Sequence, residues 1–99
     1  MTGIVHVVLV EWNTEDAAVP ERATALAHEH LPGIGGVVSV ASGPSVSPEG
    51  KEEGFDWMLV VRFRDAAARD AYLPHPAHTP VAEHIGAHNA RVVVFDVAA

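Results

Sequence analysis

The sequence predicts an α+β fold in which a four-stranded antiparallel sheet carries its helices on one face. Three observations lead there. Four runs rich in Val, Ile and aromatic residues read as strands. Stretches with helical apolar spacing follow the first and third of these runs. Pro, Gly and Asp punctuate the borders between them.

Residues 4–12 form the first strand, which is β-branched and apolar at nearly every position, as expected when both faces are covered. Ile4, His6, Val8, Val10 and Trp12 share one face; Val5, Val7, Leu9 and Glu11 share the other. Asn13-Thr14-Glu15-Asp16 offers N-cap residues, and a helix follows to about Leu31, with Pro20 tolerated only in its first turn. Val19, Ala23, Leu26, Ala27 and Leu31 make its apolar stripe, and Leu31-Pro32-Gly33 ends it.

The second strand, residues 37–46, has small side chains at Ser39, Ala41, Ser42 and Gly43, where a bulky partner could pack. Pro44 and Pro48 make its far end an edge or a loop, and residues 47–54 are polar. The third strand, residues 55–64, alternates most clearly. Phe55, Trp57, Leu59, Val61 and Phe63 lie on one face, with Asp56, Met58, Val60, Arg62 and Arg64 on the other. Asp65 caps a short helix over 66–73, which Pro74 closes; Pro76 or Pro80 opens another that ends near His88. Residues 91–97 are the last strand.

The order β-α-β-β-α-(α)-β is that of a ferredoxin-like split β-α-β unit, here a single domain over residues 1–99. Helices cover one face of such a sheet, yet the opposite face is apolar as well. A second subunit is the natural cover, so a homodimer with its sheets face to face is expected.

Composition narrows the functions. At 48% hydrophobic residues the chain can build a core without disulfides, and with no cysteine it is neither a cystine scaffold nor a thiolate metal site. Thirteen acidic residues against six basic give a net charge of −7, and the cations are scattered, with only Arg62 and Arg64 close together. That excludes the clustered positive charge nucleic-acid binding requires. No basic leader precedes the first strand and no apolar run approaches the ~20 residues of a membrane span, so a cytoplasmic protein is expected. The Ala, Val and Gly content, with Arg preferred to Lys, suits a GC-rich bacterial genome.

Seven histidines stand out. His84 and His88 lie four apart on a predicted helix, but Glu83 precedes His84 instead of following it, unlike the zinc-protease pattern, so they are expected on a solvated helix face with no metal. His28 and His30 are expected to be exposed. His6 sits mid-strand between Ile4 and Val8 and must find a hydrogen-bond partner or line a cavity. Asp96, in the last strand, is costly to bury alone. Paired with an imidazole it would fix the tautomer and raise the ring's basicity, which is the logic of a general base. Tyr72, the only tyrosine, offers a phenol three residues before His75 and six before His78.

The segments His6-Val7-Val8-Leu9, Leu31-Pro32-Gly33-Ile34, Ser47-Pro48-Glu49-Gly50, Gly54-Phe55-Asp56 and Tyr72-Leu73-Pro74-His75-Pro76-Ala77-His78 occur in that order. Together they resemble the stress-responsive dimeric α+β barrel (A/B barrel) family over nearly the whole chain. The resemblance implies a homodimer whose sheets close into a barrel. It extends to polyketide cyclases of the olivetolic acid cyclase type. Carried over, it makes Tyr72 and His78 catalytic with Asp96 orienting the histidine, and His6 and His75 substrate-binding, with no cofactor. Where those cyclases have bulky aromatics, this chain has Ala23, Ala25, Ala27, Thr79, Pro80, Val81, Ala82, Gly86 and Ala87. Three functions remain open: a cofactor-free cyclase or lyase acting on a small carbonyl substrate, a cofactor-independent monooxygenase acting on an aromatic one, and a non-catalytic stress or ligand-binding protein.

Overall fold

A computed structural model describes residues 2–99. The chain runs β1 (Ile4–Trp12), α1 (Ala18–His30), β2 (Val37–Gly43), β3 (Trp57–Phe63), α2 (Ala66–Tyr72), α3 (Thr79–His88) and β4 (Asn89–Ala98). The strands form one antiparallel sheet in the order β2-β3-β1-β4, with β1 and β3 central. This is the expected ferredoxin-like arrangement.

The alternation read from sequence decides which face is inside. Val8, Val10 and Trp12 of β1, with Trp57, Leu59, Val61 and Phe63 of β3, are buried beneath the helices. Ala23, Leu26 and Ala27 of α1, Ala68 and Tyr72 of α2, and Val81 and Ile85 of α3 close the core from above. Each large side chain removed from water contributes on the order of 1.5–3 kcal/mol. The start of α2 is set by Asp65, whose Oδ1 accepts the Ala68 N–H at 2.8 Å.

Several borders move. β2 stops at Gly43 instead of 46, because Pro44 has no N–H for the ladder. β3 spans Trp57–Phe63, two residues later at its start, because Asp56 turns its N–H to Val10 O and its carboxylate to the Trp12 N–H. β4 begins at Asn89, directly after α3, two residues earlier than expected. The cap of α1 is Ala17, although Asp16 Oδ1 still accepts the Ala18 N–H at 3.0 Å.

Two expectations about histidines fail. His84 and His88 are half-buried, not on a solvated face. His84 Nε2 donates to Val19 O at 2.8 Å, joining α3 to α1, and His88 Nδ1 donates to His84 O at 2.8 Å. His30 is half-buried, while His28 is exposed.

The sheet is unevenly covered. Helices pack over β1, β2 and β3 but leave β4 open. Val92 and Val94 point to the helix side and are nevertheless exposed, as are Val93, Phe95 and Val97 on the other side.

Candidate active site

The site begins with a histidine where the pleat demands an apolar residue. His6 points inward from β1 and is 4% exposed, the one buried polar side chain among the described core residues. Register puts Asp96 of β4 directly opposite it. His6 Nδ1 donates to Asp96 Oδ1 at 2.6 Å, so the buried ring is satisfied by a carboxylate from the edge strand. The other carboxylate oxygen, Oδ2, accepts from Arg69 Nη1 at 2.8 Å. Burial alone would raise the Asp96 carboxyl; the hydrogen bonds from Arg69 and His6, with their charges, outweigh it and hold it below the usual carboxylate range.

Helix α2 supplies the next residue. Tyr72 lies one turn after Arg69 and packs against two imidazoles, its ring centroid 5.8 Å from His6 and 4.5 Å from His78. The phenol is fully buried, and its hydroxyl has no hydrogen-bond partner among the described residues. Burial pushes its pKa up to about 12, so it is a neutral donor at physiological pH. An unpaired buried hydroxyl costs about 1–3 kcal/mol, so a partner with an acceptor oxygen is favoured there.

The turn after α2 brings the remaining two histidines. His75 Nδ1 accepts the Ala77 N–H at 3.0 Å, which shapes the turn carrying His78. His78, half-buried at the entrance to α3, uses Nδ1 to donate to Leu73 O at 3.0 Å. In a neutral imidazole that leaves Nε2 with the lone pair.

Four of the five residues singled out from sequence, His6, Tyr72, His78 and Asp96, therefore meet through consecutive contacts. One expectation is corrected. Asp96 does not orient His78: both its oxygens are engaged, by His6 and Arg69, and His78 is held by a backbone carbonyl. Two large cavities among the described residues lie away from these side chains. One of about 530 Å³ lies under the loop after β2, beside Leu9, Val46, Phe55 and Met58. The other, about 610 Å³, lies beside Trp12 and residues 13–17. Arg69 escaped sequence reading; its signal is the three-residue spacing to Tyr72, which puts both on the sheet-facing side of α2.

Fold and site define a ferredoxin-like α+β domain with a histidine-rich polar seam between sheet and helices. The family model of the stress responsive A/B barrel domain matches residues 4–99, and the chain belongs to that family. A dimeric ferredoxin-like protein of Jannaschia sp. CCS1 is 27% identical with a TM-score of 0.85, over 96% of this chain and 97% of that one. A dimeric ferredoxin-like protein of Thermobifida fusca YX is 21% identical with a TM-score of 0.86, over 99% and 92%. A hydroxynitrile lyase of Passiflora edulis superimposes with a TM-score of 0.85 at 14% identity, over 98% and 93%. No curated protein matches the sequence significantly.

Proposed function

We propose that the protein is a cofactor-free polyketide cyclase-like enzyme or related lyase, which uses a histidine base on a small carbonyl substrate. The observation that carries this reading is the buried, unpartnered Tyr72 hydroxyl packed against His78. His78 Nε2 takes a proton from the carbon next to the carbonyl, and Tyr72 O–H donates to the enolate oxygen that develops. One base and one donor suffice for aldol or Claisen-type chemistry, so the mechanism calls on no metal or organic cofactor. His6 contributes a second polar group, and Asp96 acts through it. His75 serves by holding the turn under His78.

The reading also makes the enzyme a cytoplasmic homodimer. The support for the dimer is β4, whose valines and Phe95 are exposed on both sides, together with the dimeric state of the structural neighbours.

The test is turnover of a panel of poly-β-ketone thioesters and other carbonyl compounds with an acidic α-proton. His78→Ala is expected to lose about 10²–10⁴-fold of the rate, as removal of a general base does, with circular dichroism unchanged. Tyr72→Phe is expected to lose less. Full activity in His78→Ala, or a panel that is neither turned over nor shifts the His78 imidazole in NMR, overturns the reading.

A further inference from the structure

We propose that Arg69 is a positioning residue: by holding Asp96 it places the His6 proton on Nδ1, so that a second imidazole lone pair, His6 Nε2, is presented in the site beside Tyr72. The inference deepens the reading above and rests on it for its catalytic meaning.

The geometry leads there in three steps. First, among the described residues the His6 ring has a single polar anchor. Its ring neighbours are Phe63 and Tyr72, with centroids at 6.0 and 5.8 Å, and only the Asp96 carboxylate reaches Nδ1, at 2.6 Å. An ionised carboxylate accepts only, so the proton of that bond sits on Nδ1, and the neutral ring then keeps its lone pair on Nε2.

Second, the anchor needs an anchor. Asp96 lies on an edge strand that the helices leave uncovered, and its side chain is 24% exposed. Left to itself, such a carboxylate can turn toward water and release the ring. Arg69 prevents this by taking the second oxygen at 2.8 Å.

Third, Arg69 is itself held at two points. Its Nε donates to Asp70 Oδ1 at 2.8 Å while Nη1 reaches Asp96, so the planar guanidinium spans two carboxylates in one orientation. The chain of contacts Asp70–Arg69–Asp96–His6 thus runs from the surface of α2 across β4 to β1. It ends against the Tyr72 ring, which also packs against His78.

The experiment is long-range ¹H–¹⁵N NMR of the histidine rings in the free protein, without substrate. In the wild type, His6 is expected as the Nδ1–H tautomer with a low-field Nδ1 proton. Arg69→Gln and Arg69→Met are expected to lose that proton signal and to give a tautomer mixture at His6. Asp96→Asn should do the same. Arg69→Lys, which keeps one charged donor, is expected to restore the wild-type pattern, a rescue that side-chain volume alone would not produce. His78, bonded to Leu73 O, is the internal control and should keep its Nδ1–H pattern throughout. Wild-type His6 spectra in both neutral Arg69 variants, or in Asp96→Asn, overturn the proposal. These spectra require no turnover, so they fail or succeed independently of the His78→Ala assay.

Discussion

At the residue scale the most informative atom is the Tyr72 hydroxyl. Because Tyr72 is the only tyrosine, ultraviolet titration reads it alone. The phenolate should form near pH 12 rather than at the ordinary value of 10. The linkage to stability has a definite sign. Below pH 10 both folded and unfolded chains carry the neutral phenol; above it the unfolded chain ionises first, so stability falls as pH rises from 10 toward 12. Tyr72→Phe should lack that fall, and a phenol titrating at 10 in the folded protein would contradict its burial. Asp96 has the opposite sign. Its folded-state carboxyl is held low, so its contribution is fully present above the unfolded value, about pH 4, and is lost as pH falls through the folded one. Urea unfolding between roughly pH 2 and 5 should therefore show a shallower acid slope for Asp96→Asn.

At the scale of elements, the junction between the β2 entry and α2 leaves no room for a side chain at Gly36. Gly36 has φ +87°, and a Cβ built there would stand 2.4 Å from the Ala68 Cβ. Both the left-handed backbone and the approach of α2 require glycine. Gly36→Ala should cost about 2–4 kcal/mol in thermal or chemical denaturation, combining backbone strain with overpacking. Gly35→Ala, where a Cβ meets nothing within 4 Å, is the control and should cost far less. This junction bears on the site as well, because α2 carries both Arg69 and Tyr72.

At the scale of the molecule, the open edge strand calls for a partner. Phe95 is 68% exposed and Val94 57%, on opposite sides of β4, so no packing within one chain buries both. Sedimentation of the wild type at micromolar concentration should give a particle of twice the 10.5 kDa chain mass. Phe95→Asp should shift it toward the monomer while leaving the fold intact. A wild-type particle of 10.5 kDa would count against the homodimer.

The sequence by itself determined the strands, their inward faces, the Asp65 cap and the family, because these follow from local periodicity, capping chemistry and short motifs. It also marked His6 and Asp96 as residues needing partners, because an isolated polar group is expensive in an apolar strand. Only the tertiary structure decided who those partners are. His6 and Asp96 are 90 residues apart, and the register of β1 on β4 joins them. That register leaves His78 to a backbone carbonyl and brings in Arg69, which no strand pattern announces. The half-burial of His84 has the same origin: helical spacing places a side chain on a face, but the packing of α3 against α1 decides whether that face meets water. Local rules act within a few residues, whereas hydrogen-bond partners in a sheet are chosen by the folding of the whole chain.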